Sequence, residues 1–308
     1  MQTILNTALP FFALIFCGYG AGRFKLLSEA SVAGVNAFVF YFALPAFIFN
    51  LLATSPLADV ANGPFVAAYL GTGLVLFVVA AVLGRLLFKV RRSEAVLQGS
   101  AAVLGNTGYM GIPLVAAAFG DRAAIPLVLG LTLEATVLIP LTIVLVEAQK
   151  GLGSRLLGSV GGALVRNPII IAIFAGVLVS AVGLGLPTPV ENFTALLGDA
   201  AGPCALFALG ATLAGFPIST GIGEVSYMTL FKLLVHPTAM WFATTRLFDV
   251  EPLWATVAIL GAALPVAANV FIIARQYDTY VERVSSAILV STAISVVTVS
   301  ALLTFLSP

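Results

Sequence analysis

Apolar residues run along this chain in long blocks, not in strict alternation and not as one-sided stripes. Ten blocks reach the roughly 20 residues that a helix needs to cross the hydrocarbon core of a bilayer. They lie near residues 3–22, 30–53, 64–88, 94–118, 122–147, 168–187, 191–216, 225–248, 252–275 and 281–306. The pattern predicts an all-α integral membrane protein of ten spans joined by short connectors. The longest connector, near 148–167, leaves no room for a soluble domain. The first block has no basic residues before it, so it reads as a retained span and not as a cleaved signal.

Ten spans divide as five plus five, with residues 1–155 as a first repeat and 156–308 as a second. Repeats with an odd number of spans insert in opposite orientations, which gives inverted symmetry. Two interruptions follow that division. Pro45 breaks span 2 and Pro203 breaks span 7, 158 positions later. Span 4 is broken by GNTGYMGIP, Gly105–Pro113, centred on Tyr109, and span 9 by LPVAAN, Leu264–Asn269, centred near Ala267, again 158 positions on.

Three glycines and a proline within nine residues weaken a helix in mid-span. The backbone groups this frees are tolerated at membrane depth only against protein or a watered cavity. A single such break also fits a simple packing kink. Two breaks at matched positions favour a substrate site. Each carries an amide, Asn106 or Asn269, that can donate and accept. Half-helix N-termini beside the breaks suit an anion. Candidate substrate contacts are therefore Asn106, Thr107, Gly108, Tyr109 and Asn269, and each break also holds a proline, Pro113 or Pro265.

Composition narrows the function. Hydrophobic residues make up 60% of the chain and charged residues 9%, with a mean hydropathy of +1.12. A soluble enzyme is excluded, because too few charges remain to coat its surface. The net charge of +1 excludes a polybasic nucleic-acid binder. One histidine and two cysteines in apolar runs leave no metal set or disulfide framework, and no cofactor is expected. Basic residues set the orientation. Arg23, Lys25, Arg85, Lys89, Arg91, Arg92, Lys150, Arg155, Arg166, Arg275 and Arg283 fall on one side, against Arg122 and Arg246 on the other. Positive charge stays cytoplasmic, so both termini face outward.

At the broken spans the chain resembles the auxin efflux carrier family, which includes plant PIN carriers and PIN-like bacterial transporters. The resemblance rests on GNTGYMGIPLV (Gly105–Val115), ALFALGATLAG (Ala205–Gly215), LPVAANVFIIARQYD (Leu264–Asp278) and the final span around Ile288–Thr292. It implies the bile-acid sodium symporter fold, two inverted five-helix repeats. Spans 1, 2, 6 and 7 would form a scaffold, and spans 3–5 and 8–10 a transport domain in which broken helices 4 and 9 cross. It also implies small organic anions as substrates, an elevator-like cycle and Asn106 and Asn269 as substrate amides. The long cytoplasmic loop of plant members is missing here, which puts auxin in doubt.

Ionisable residues at mid-span are functional candidates by default. Glu134 lies in span 5, and Lys232 and His236 lie one turn apart in span 8. Two readings stand: a carboxylate that exchanges its lysine partner for a proton, or a permanent Glu134–Lys232 pair tying helices together. His236, before Pro237, reads as a packing residue. Asn50, Asn36 and Asn6 read as interhelical hydrogen-bonding residues, Asp199 as lying near the outer mouth, and Gln98 as facing the crossover. A secondary transporter in a bacterial inner membrane accounts for these features. An anion pore would want polarity along a whole path. An intramembrane enzyme would want a nucleophile–base pair or metal set. A homodimer formed through the scaffold would suit the implied fold.

Overall fold

A computed structural model describes residues 2–56, 62–149, 162, 165–183, 185–216 and 221–306. Lys150 and Arg155, invoked above for orientation, lie outside the described residues, as do the side chains of residues 2–8, including that of Asn6. The described chain is helical, with no strand and a single isolated β-bridge. The helices of the first half are α1 (Gln2–Arg23), α2 (Glu29–Phe38), α3 (Leu44–Ala53), α4 (Gly63–Phe88), α5 (Arg92–Val103), α6 (Ile112–Phe119), α7 (Ile125–Leu133) and α8 (Ile139–Ala148). The second half holds α9 (Pro168–Val182), α10 (Thr188–Asp199), α11 (Ala201–Leu213), α12 (Ile222–Leu230), α13 (His236–Phe242), α14 (Pro252–Ala263), α15 (Ala268–Gln276) and α16 (Val281–Leu306).

Among the described residues, five helical stretches are long and apolar enough to cross a membrane: Glu29–Ala53, Gly63–Phe88, Asp121–Ala148, Thr188–Leu213 and Val281–Leu306. Shorter apolar helices cover Leu9–Arg23, Thr107–Phe119, Pro168–Val182 and Pro252–Ala263.

Several long stretches contain widened π-helical turns. Val39–Ala43, Thr107–Gly111, Glu134–Leu138 and Phe231–Val235 each end two residues before a proline: Pro45, Pro113, Pro140 and Pro237. Proline has no N–H to give and its ring clashes with the carbonyl four residues back. Widening the preceding turn moves that carbonyl away and lets the helix continue. Span 7 behaves differently. It changes direction at Ala200, which is both the C-cap of α10 and the N-cap of α11, three residues ahead of Pro203.

The chain forms two compact units. One comprises Met1–Asn62, Gly108–Leu129 and Gly162–Gly215; the other comprises Gly63–Thr107, Gly130–Gly161 and Phe216–Pro308. In the first, α1 packs along α11, and α3 along α9. These helices approach through glycines. A Cβ on Gly18 would overlap the carbonyl oxygen of Phe207, and one on Gly210 the carbonyl oxygen of Ile15. Likewise a Cβ on Gly176 would stand 3.0 Å from the Phe49 carbonyl oxygen, and one on Gly198 2.9 Å from the Phe47 backbone. Small residues at such crossings let backbones touch where lipid offers no hydrophobic drive for association. Gly108–Leu129 belongs to this unit partly because Pro113 sits against Gly202, with 3.1 Å from its Cβ to the place a glycine side chain would start.

In the second unit α4 packs on α5, α13 on α14, and α12 and α14 on α16. Phe65, Phe77, Leu97 and Leu104 are among its fully buried side chains. Gly130 admits the ring of Tyr69, which would lie 2.9 Å from a Cβ there.

Gly18→Val and Gly210→Val are expected to lose about 3 kcal/mol or more, because neither facing carbonyl can retreat without moving its helix. Gly34, with nothing within 4 Å of its missing side chain, should accept alanine with little change. Melting temperatures in detergent test the contrast, and equal behaviour of all three variants contradicts it.

Candidate functional site

The start of the first interruption, Gly105–Thr107, and the whole of the second lie in the second unit, where they meet. Helix α5 stops at Val103 and Leu104 is extended (φ −75°, ψ 113°). Helix α14 stops at Ala263; Leu264 (φ −63°, ψ 152°) and Ala267 (φ −69°, ψ 140°) are also extended. Gly105 and Val266 form an antiparallel bridge. Asn106 N–H donates to the Pro265 carbonyl at 2.9 Å, and Ala267 N–H donates to the Leu104 carbonyl at 3.0 Å. The residue at 105 must be small. A Cβ there would stand 3.0 Å from the Gly261 carbonyl and 3.3 Å from Lys232 Nζ.

The other N–H groups of the two extended segments turn to nearby acceptors, as burial requires. Leu104 uses the Ser100 carbonyl at 2.8 Å and Leu264 the Gly261 carbonyl at 3.3 Å. Pro265 has none to give. Gly105 N–H faces the Glu134 carboxylate. Val266 N–H donates to Ser291 Oγ at 3.1 Å.

Glu134 is 3% exposed. Its Oε1 accepts from Tyr69 Oη at 2.6 Å and from Thr107 Oγ1 at 3.1 Å. Lys232 is wholly buried. Its Nζ donates to the Ala262 carbonyl at 2.6 Å and lies 3.1 Å from His236 Nδ1. An ammonium has only donors, so Nδ1 accepts and the ring proton resides on Nε2. The charges match what each break exposes. The carboxylate serves freed N–H and O–H donors where the chain re-enters helix after Gly105. The ammonium serves a freed carbonyl at the C-terminus of α14. Glu134, Lys232 and Thr107 all sit in the π-turns described above.

A direct Glu134–Lys232 ion pair is not formed. The two ion pairs of 4.0 Å or less given by the described residues are Arg91–Glu94 and Arg283–Glu224. Each charged group is held by backbone and hydroxyl partners on its own side of the crossing. His236, 2% exposed, is a ligand of the lysine rather than a filler of apolar space.

The two amides have no hydrogen-bond partner for their side chains among the described residues. Asn106 is only 5% exposed. Asn269 is exposed, in the first turn of α15, whose N-cap Ala267 supplies no side-chain cap. That helix begins with open donors beside an open amide.

The remaining expected site residues, Gly108, Tyr109 and Pro113, belong to the first unit. Tyr109 Oη reaches the Asn36 carbonyl at 3.5 Å, and Pro113 lines a cavity of about 400 Å³ with Pro10, Phe47, Asp121, Asp199 and Pro203. Asn50 and Asn36 form interhelical hydrogen bonds, to Thr194 Oγ1 at 2.8 Å and to Thr212 Oγ1 at 3.1 Å. Gln98 does not face the crossing. Its Nε2 donates to Tyr280 Oη at 2.7 Å, at the connector before α16. Tyr69 and Ser291 were not singled out in the sequence. Ser291 lies 157 positions after Glu134, one short of the spacing that relates the breaks, and that offset was the available signal.

A family model described as membrane transport protein matches residues 3–303. The chain belongs to that family, the auxin efflux carrier group which its broken spans resemble. Members similar to it include the "Putative malonate transporter" of Rhizobium meliloti (strain 1021), 35% identical over 98% of this chain and 96% of that one. The uncharacterized transporter YfdV of Escherichia coli (strain K12) is 24% identical over 96% and 95%. The "Probable auxin efflux carrier component 5a" of Oryza sativa subsp. japonica is 23% identical over 95% and 93%. As a member, the protein is a multi-pass membrane transporter of a small molecule and not an enzyme.

Glu134→Ala leaves two buried hydroxyls without their acceptor and removes the opposite charge nearest the buried ammonium of Lys232, and is expected to cost about 3–5 kcal/mol. Tyr69→Phe removes one donor from a carboxylate that keeps others and should cost about 1–2 kcal/mol. Thermal denaturation in detergent ranks them, and a milder effect of Glu134→Ala than of Tyr69→Phe contradicts the arrangement.

Proposed function

We propose that this transporter moves small carboxylates across a bacterial inner membrane, binding them at the crossing of two broken helices. The observation that carries the reading is the pair of amides, Asn106 and Asn269, that have no side-chain hydrogen-bond partner among the described residues, beside a crossing whose backbone is bridged. An amide that no protein group engages can both donate to and accept from a ligand. Open N–H groups at the start of α15 favour negative charge. The name of the Rhizobium relative supports a malonate-like dicarboxylate.

Ten spans in two inverted five-helix repeats, with both termini outside, form the proposed architecture. The helix pairs support it. Shifting span numbers by five turns the pairing of α1 with α11, spans 1 and 7, into that of spans 6 and 2, which is α9 with α3. The division into two compact units supports an elevator cycle, in which one group of helices carries the site and the other is a scaffold. A scaffold-mediated homodimer would fit that cycle.

Losing one hydrogen bond to a charged ligand costs roughly 1.5–3 kcal/mol, about ten- to a hundredfold in affinity. Asn106→Ala and Asn269→Ala should each weaken malonate binding by that factor while remaining folded. Pro113→Ala and Pro265→Ala should lower transport by closing helix across the break. Unchanged malonate affinity in both asparagine variants would remove the crossing as the site.

Glu134 and Lys232 are the proposed coupling residues, with Glu134 able to carry a proton while Tyr69 and Thr107 hold it in place. Glu134→Gln is then expected to lose uptake driven by a pH gradient and retain malonate exchange in proteoliposomes. Full pH-gradient dependence in that variant assigns Glu134 a purely structural role.

A further inference from the structure

The second break is held by a residue that carries no charge. Val266 is fully buried, and the acceptor of its N–H is Ser291 Oγ, itself fully buried, at 3.1 Å. That hydroxyl donates to the Ile288 carbonyl at 3.1 Å, which leaves its lone pairs to face Val266. At the first break the bridging partner of Val266 is Gly105, and the Gly105 N–H faces the Glu134 carboxylate. The bridge thus pairs two residues whose N–H groups are turned toward the two helices that follow the breaks, one toward a carboxylate and one bonded to a hydroxyl. The acceptors stand 157 positions apart, close to the 158 that separates Pro45 from Pro203.

We propose that Ser291 is the positioning residue of the second break, and that its neutrality keeps the α15 N-terminus open for an anion. A carboxylate at the first break already compensates the donors exposed there, so a second anion gains little. A hydroxyl satisfies the Val266 hydrogen bond without supplying charge, and the positive end of α15 stays uncompensated. Asn269 follows Val266 by three residues, so fixing Val266 fixes the turn that presents the amide. This inference rests on the crossing being the carboxylate site, and it explains why one anion would bind and on which side.

The test uses the full-length protein in detergent and in proteoliposomes, with malonate and acetate as probes. Ser291→Ala should speed amide exchange at Val266 by at least about tenfold. It should raise the KM for malonate about tenfold with kcat little changed. Ser291→Thr should restore both. Ser291→Asp should keep Val266 protected and still reduce binding of both probes about tenfold or more. Unchanged Val266 exchange in Ser291→Ala overturns the positioning role, and unchanged malonate binding in Ser291→Asp overturns the role of neutrality. Should Ser291→Asp not fold, a kcat loss in Ser291→Ala without a KM change overturns the proposal in its place. If Asn269→Ala binds malonate like the parent, the crossing itself fails as the site. Val266 exchange still reads Ser291 independently of that result.

Discussion

A backbone amide that leaves its helix inside a bilayer must find another partner, and that requirement organises the second unit. Water cannot serve there, and each orphan group costs several kcal/mol. Two segments solve the problem by crossing. Leu104 and Ala267, and Asn106 and Pro265, satisfy each other across the bridge at Gly105 and Val266. What the crossing cannot satisfy internally is met from neighbouring helices, by Glu134, Thr107, Lys232 and Ser291. The position of every one of these follows from a donor or acceptor that the break set free. Gly105 is small for the same reason, since Lys232 Nζ and the Gly261 carbonyl occupy the space a side chain would need.

Proline acts at a distance in this scheme. Pro140 and Pro237 touch neither bridge strand, yet each follows a π-turn, and those turns carry Glu134 and Lys232. A widened turn inserts an extra residue into the helix and changes which face the next side chains present. The clash that proline creates is thus relieved in the turn where a buried charge is needed. The first unit is held differently, by glycines that bring helix backbones into contact at Gly18, Gly22, Gly176, Gly198 and Gly210.

This contrast explains what could be read from the residues alone. Helical class and the apolar runs were legible, because long apolar runs act locally. Span 6 was drawn to residue 187, but α9 ends at Val182, with Gly183 left-handed at its C-cap. Glu134 and Lys232 stood out because charge in an apolar run is rare. Their partnership did not follow, since opposite charges on neighbouring spans invite a pair and no sequence pattern displays the carbonyl of Ala262 as the competing acceptor. Ser291 was invisible for the opposite reason. Serines recur along α16, at 285, 286, 291, 295 and 300, and the one that receives Val266 differs from the rest only in three dimensions. Gln98 was misplaced because two turns of helix before the break carry it to Tyr280 rather than to the crossing.

The asymmetry between the two breaks bears on transport itself. A site with a carboxylate behind each break would repel an anion, and one with a lysine behind each would hold it too tightly to release. Here the internal charges, one negative and one positive, are each engaged by fixed protein groups and sum to zero. On the proposed reading, an incoming carboxylate would meet dipoles and amides rather than a net charge. Amides and helix ends each contribute modest free energy, on the order of 1 kcal/mol apiece. A handful of such contacts gives binding strong enough to select a substrate and weak enough to let it go.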